Sequence, residues 1–194
     1  MKLIALTGVK GSGKNTAADA LSKIIENDVK KMSCNLIVEF AFADVLKNII
    51  HEAFGIENHQ ADALKRLNIK PFNGLTLREV YQRLGESIKA RCGENIWADM
   101  TIERIQHFID GLKPDYIMVT DLRYTNEEVA LKKFAEDNGY DLKIIKMINT
   151  NSNDIDNHIS EQQIDSISED YEITASNPQE IYEKIRELYE GGKI

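Results

Sequence analysis

The residues best equipped for chemistry lie near the amino terminus, in "TGVKGSGKNT", where Gly8, four intervening residues, Gly13 and Lys14 reproduce the spacing GxxxxGK. Glycines at 8, 11 and 13 allow the backbone to curl so that successive N–H groups point at a phosphate. A helix starting there adds its partial positive end, and Lys14 adds a point charge suited to β- and γ-phosphates. Ser or Thr normally follows that lysine as a magnesium ligand, but here the residue is Asn15. An amide oxygen can hold Mg²⁺ or one of its waters, since this ion keeps several waters by preference. Thr16 could then reach an α-phosphate. The expected contacts to a nucleotide are Gly8, Lys10, Gly11, Ser12, Gly13, Lys14, Asn15 and Thr16.

A second set follows the apolar run "YIMVT". Asp121 could act on Mg²⁺ through a water, and Arg123 is a rigid, permanently charged fork able to bridge two phosphates. A local Asp–Arg surface pair would use the same residues. In "LREVYQRLGE", Arg78, Gln82, Gly85 and Glu86 fall on one helical face, which could offer a guanidinium to a phosphate and an amide to a base edge, with Gly85 leaving room for a ring. The same face would also serve as a plain polar exterior. Trp97 fits a core or a ligand contact equally, Lys47 fits a solvated helix position, and Arg91 is a candidate second cation for the ligand site.

These groups must be held by a scaffold, and the apolar pattern describes one. "KLIALT" reads as a buried strand, followed by a helix with Ala17, Ala20, Leu21, Ile24 and Ile25 on one face. "LIVEFAF", "YIMVTDL", "LKIIKMI" and "YEITA" are further strands. Helical spacing is found in "ADVLKNIIHEAFG", in "TLREVYQRLGESIKAR" with Thr76 and Glu79 set as a capping box, in "NIWADMTIERIQHFIDG", in "TNEEVALKKFAEDNG", and from about residue 178 to 190. Residues 56–74 carry only a weak pattern and a turn signal, "KPFNG". Alternating strand and helix implies a parallel sheet covered on both faces, with the helix-rich interval between Phe42 and Tyr116 as an insertion.

Composition narrows the ligand. The 194 residues carry a net charge of −8 with 42% hydrophobic residues, an ordinary balance for one domain of this length. That acidity argues against a nucleic-acid polymer as partner, because affinity for a phosphate backbone comes mainly from surplus Lys and Arg. A small, locally held anion suits it better. Cys34 and Cys92 lack metal-type spacing and read as reduced structural thiols. No stretch suggests a signal peptide or a membrane span, so a soluble, cytoplasmic protein is expected.

The ordered set of motifs resembles the bacteriophage deoxynucleoside monophosphate kinase family, within the P-loop nucleoside monophosphate kinase group. Its members begin with "SGVKxSGKDT", and matching stretches follow almost end to end: "FADVLK" (42–47), "LREVYQRLGE" (77–86), Trp97, "TDLRYTNE" (120–127), "NDIDNHISE" (153–161) and "YEITASNPQEI" (171–181). The resemblance implies a P-loop NTPase three-layer α/β/α fold with a parallel sheet, in a single domain. Its nucleotide-binding core would span about 1–42 and 115–194, its helical monophosphate-binding insertion about 43–114, and its short lid about 149–170, with His158 and Glu161 in the lid. It implies transfer of the γ-phosphoryl of ATP, as the Mg²⁺ complex, to a deoxynucleoside 5′-monophosphate, in the host cytoplasm if phage-encoded; a homodimer is possible. Lys14, Arg123 and Asp121 become the expected catalytic group. Leu46, Lys47, Arg78, Gln82, Gly85, Glu86, Trp97, Arg123 and Glu127 become the expected acceptor contacts, and Asn15 and Asp121 (through water) the metal side. The acceptor phosphate is itself the nucleophile and already ionised, so no general base is needed. The chain departs from the family pattern after the fourth strand, where "MINTN" replaces an arginine and no Lys or Arg occurs between Lys146 and Lys184. Two readings remain beside this one: a kinase of another small phosphorylated metabolite, such as a coenzyme precursor or phosphomevalonate, and a noncatalytic nucleotide-binding regulator.

Overall fold

The computed structural model describes residues 1–28, 35–151 and 163–194. Five parallel strands, β1 (Lys2–Thr7), β2 (Ile37–Phe40), β3 (Tyr116–Leu122), β4 (Asp141–Asn149) and β5 (Tyr171–Ala175), form one sheet in the order β2-β3-β1-β4-β5. Successive strand residues point to opposite faces, and both faces are buried, so each strand reads as a continuous apolar run. Ile4 and Leu6 of β1 pack with Met118, Ile145, Met147 and Ile173 against α1 (Lys14–Glu26) and α7 (Pro178–Glu190). Leu3 and Ala5, one residue out of phase, pack with Ile117, Val119 and Ile144 against α5 (Ile96–Leu112) and α6 (Thr125–Asn138). The result is the expected α/β fold in three layers.

Between β2 and β3 the chain inserts α2 (Phe42–Phe54), α3 (Asn58–Arg66), α4 (Leu77–Cys92) and α5. The Thr76 hydroxyl accepts from the Glu79 N–H at 3.2 Å, and the Glu79 carboxylate accepts from the Thr76 N–H at 2.7 Å, so the expected capping box starts α4. Ile50, Ala61 and Leu77 form a separate small apolar cluster that binds α2, α3 and α4 together.

Two boundaries differ from the sequence reading. β2 stops at Phe40, and Phe42 is already the first residue of α2, because Asp44 accepts the Ala41 N–H at 3.1 Å and so starts the helix there. Residues 58–66 form α3 although their pattern is weak; Ala61 is its one buried residue, too little to leave a visible stripe. The expected lid is described only at 149–151 and 163–170, and His158 and Glu161 lie outside the described residues. Cys34 does too, while Cys92 is a free, exposed thiol. Among the described residues no helix is long and apolar enough to cross a membrane.

The insertion cluster is small, so losing one member should be felt throughout it. Ile50→Ala should cost about 2–5 kcal/mol in denaturant unfolding, the range for deleting a fully buried aliphatic side chain. A cost near zero would mean that the cluster does not hold the insertion.

Candidate functional site

β1 lies at the centre of the sheet, and the loop at its carboxyl end leads directly into α1, the place where open parallel sheets bind ligands. Gly8, Gly11 and Gly13 have φ of 140°, 77° and 95°, which L side chains rarely adopt. Space excludes side chains as well: a Cβ at Gly8 would stand 2.4 Å from the Met147 carbonyl oxygen. Lys14 is only 7% exposed, and its ammonium folds back and donates to the carbonyls of Gly8 and Val9, the latter at 2.9 Å. The Ser12 N–H donates to the Val9 carbonyl at 3.1 Å, and its hydroxyl is buried beneath the loop with no hydrogen-bond partner. Asn15 is exposed and Thr16 half-buried on the first turn of α1. A glycine cradle at a helix start, closed by an inward lysine, fits a phosphate chain.

Beside this loop opens a cavity of about 610 Å³. Lys10 reaches it from the loop; Leu46 and Lys47 line it from α2; Arg78, Gln82, Gly85 and Glu86 from α4; Trp97 from α5; and Asp121, Arg123 and Glu127 from the β3–α6 edge. Every residue expected to touch an acceptor therefore lines one cavity. Trp97 joins both of its possible fates, being 7% exposed and yet part of the wall, with its indole N–H donating to the Gly85 carbonyl at 3.3 Å. A Cβ on Gly85 would stand 3.0 Å from Leu46 Cδ2, so this glycine lets α4 lie close on α2.

The two carboxylates at the β3 edge hold backbone. One Asp121 oxygen accepts the Phe42 N–H at 3.0 Å, tying the first turn of α2 to the sheet. β3 carries one extra residue here, since Ala5 faces Val119 but Thr7 faces Leu122. Such bulges redirect side chains beside sites. Burial pushes the Asp121 carboxyl above its ordinary range and Asp44 adds to the shift, opposed by Lys47, Arg123 and the Phe42 N–H. Glu127 accepts the N–H groups of Arg123 and Tyr124 at 3.0 and 3.1 Å, fixing the turn that carries Arg123. Burial first, and then the Asp121 charge, raise its carboxyl to about 8 against the pull of those N–H groups and of Lys89.

Sequence reasoning overlooked several wall residues. Lys89 stands in the cavity where Arg91 had been the candidate cation; Arg91 is exposed and does not line it. The Lys89 ammonium lies 4.0 Å from the Tyr124 ring centroid and 3.7 Å from Glu86. Lys89 is three residues from Glu86 and seven from Gln82 on the same helix, so a longer reading of that face would have included it. Tyr81, Lys65 and Asn68 also line the cavity, the last two from the segment with the weak helical pattern.

No family model matches the chain. A protein of Acanthamoeba polyphaga mimivirus, named by inference as a deoxynucleotide monophosphate kinase, is 28% identical, covering 94% of this chain and 92% of its own length. That relative is encoded by a mimivirus rather than by a bacteriophage. Among solved structures, an inferred kinase from Chloroflexus aurantiacus overlaps 98% of the chain and 97% of its own at 12% identity and a TM-score of 0.49. The tunicamycin resistance protein of Deinococcus radiodurans overlaps 99% and 96% at 12% identity and a TM-score of 0.47.

The raised Glu127 value has a measurable consequence. A carboxyl at 4.5 when unfolded and about 8 when folded keeps its proton in the native state between those values, so the stability it contributes is complete below 4.5 and lost as pH rises through 8. Glu127→Gln keeps an acceptor for the two N–H groups and never ionises. Its melting temperature should therefore rise relative to that of the unsubstituted protein between about pH 5 and 9. A pH-independent difference would show that Glu127 is already ionised at neutral pH.

Proposed function

We propose that this chain is a phosphotransferase that moves the γ-phosphoryl of ATP to a deoxynucleoside 5′-monophosphate, giving the diphosphate. The observation that carries this reading is the sharing of Lys10: the phosphate loop and the cavity beside it have one side chain in common. A donor chain in the loop and an acceptor in the cavity would then meet. Charge supports a doubly anionic acceptor. In a chain of net charge −8, the cavity gathers Lys10, Lys47, Lys65, Arg78, Lys89 and Arg123 against three carboxylates, one of them, Glu127, held protonated near neutrality. Trp97, Tyr81 and Tyr124 supply flat surfaces and Gln82 an amide, which suit a nucleobase better than an aliphatic metabolite. The name borne by the mimivirus relative agrees with this acceptor class.

Lys14 would exchange its bonds to the loop carbonyls for the β- and γ-phosphates of the donor. Arg78 from α4 and Arg123 from the β3–α6 edge would grip the acceptor phosphate, with Arg123 near the transferred group. Glu127 would hold the Arg123 turn in register and present its second oxygen to the sugar or base, while Leu46 and Lys47 close the α2 side. Asn15, exposed on the first turn of α1, and Asp121, acting through a water, would be the protein's share of a magnesium site. Magnesium, when bound, neutralises phosphate charge. Positioning and charge neutralisation then supply the catalysis.

A coupled assay of ADP release across ribo- and deoxyribonucleoside monophosphates tests the reading, with turnover expected on at least one deoxy acceptor. ATP binding without ADP release on any acceptor would favour a nucleotide-binding regulator instead. Lys14→Ala should lose about 10²-fold or more in turnover with the fold retained, as for other preorganised transition-state contacts. Near-normal turnover would refute the phosphate-loop role.

Arg78→Lys and Arg123→Lys should each lower acceptor kcat/KM while leaving ATP affinity unaltered, because a planar fork becomes a point charge. The double variant should be less than additive if both grip one group. A defect confined to ATP would refute this placement.

A further inference from the structure

The phosphate loop is braced at three points by the carboxyl-terminal part of the chain. Gly8 passes over the Met147 carbonyl, and a Cβ on Gly13 would stand 2.6 Å from Ile181 Cδ1. At Gly11 the brace is a polar side chain: Asn149 Nδ2 donates to the Gly11 carbonyl at 2.9 Å. Asn149 closes β4 and is itself fixed. Its Oδ1 accepts the Asn151 N–H at 2.9 Å, Asn151 Nδ2 donates to the Ser176 carbonyl at 3.0 Å, and Ser176 is tied through its N–H and hydroxyl to Glu180 in the first turn of α7. A carbonyl on one side and an N–H on the other permit only one orientation of the Asn149 amide.

This contact governs a peptide plane. The Gly11–Ser12 peptide is planar and trans, so a carbonyl held toward Asn149 keeps the Ser12 N–H on the opposite side, where it donates to Val9 at 3.1 Å. Gly11, at φ 77°, has the freedom to let that peptide turn over. Turned over, it would break the Ser12–Val9 hydrogen bond and set the Gly11 carbonyl against the Val9 carbonyl, opening the turn on which the shape of the cradle depends.

We propose that Asn149 is a positioning residue for the donor polyphosphate, locking the Gly11–Ser12 peptide and with it the Val9–Ser12 turn, so that the glycine loop keeps the shape that receives an anion. The proposal rests on the phosphate-loop reading above. It places at the end of β4, within the run from Met147 to Glu183 that carries no Lys or Arg, a neutral residue that acts on donor affinity through the loop.

The test compares Asn149→Ala with the unsubstituted protein by calorimetric titration with ATP, by amide exchange of the peptide spanning residues 8–16 without nucleotide, and by steady-state kinetics. Loss of one such hydrogen bond should weaken ATP binding about five- to tenfold, raise the KM for ATP in parallel, leave the acceptor KM unchanged, and speed exchange in the loop. Should Asn149→Ala fold poorly, Asn149→Ser serves the same purpose: its hydroxyl can still take the Asn151 N–H but is too short to reach Gly11. Unchanged ATP affinity in the folded variant overturns the proposal, whether or not exchange accelerates, and so does an acceptor KM that shifts as much as that for ATP. If the unsubstituted protein itself fails to bind ATP, the phosphate-loop reading falls, a result distinct from equal binding by both proteins.

Discussion

Gly8 passes so close over the end of β4 that a single added carbon would collide with the Met147 carbonyl, and the geometry of the carboxyl edge follows from that approach. A loop pressed onto the sheet must turn through left-handed backbone at Gly11 and Gly13 to reach α1. Turning there leaves the Gly8 and Val9 carbonyls within reach of Lys14, whose ammonium is buried among them. Desolvating an ammonium is unfavourable unless oxygen atoms surround it, so the lysine in turn stabilises this loop shape. Backbone shape and cation thus support each other.

The carboxylates at the neighbouring edge work on a similar principle. Asp121 and Glu127 lie in the cavity wall, yet each is engaged by main-chain N–H groups, of Phe42 in one case and of Arg123 and Tyr124 in the other. They fix the start of α2 and the turn before α6, the two places from which Lys47 and Arg123 extend. The burial that raises the Glu127 carboxyl to about 8 also limits the negative charge in the cavity, so this residue acts both as a support and as a charge control.

Much of this was legible in the chain. Unbroken apolar runs predict strands buried on both faces, and the phase difference between Leu3 and Ile4 sorts them into the two layers observed. The spacing from Arg78 to Glu86 predicts one helical face, and that face does line the cavity. Three features were hidden for physical reasons. The boundary at Phe42 depends on Asp44 capping a turn, a local bond that outweighs the aromatic preference for a strand. Helix α3 buries one alanine, so no periodic stripe marks it. The bulge in β3 arises from how two strands meet and leaves no trace in either alone.

The insertion keeps its own apolar cluster, Ile50 with Ala61 and Leu77, while α5 shares the core beneath the sheet through Ala98 and Ile105. The wall built by α3 and α4 is therefore insulated from the packing that sustains the glycine loop. Substitutions at wall residues such as Lys65, Asn68 and Gln82 can therefore reshape the cavity without disturbing the loop that β1, β4 and α1 hold in place.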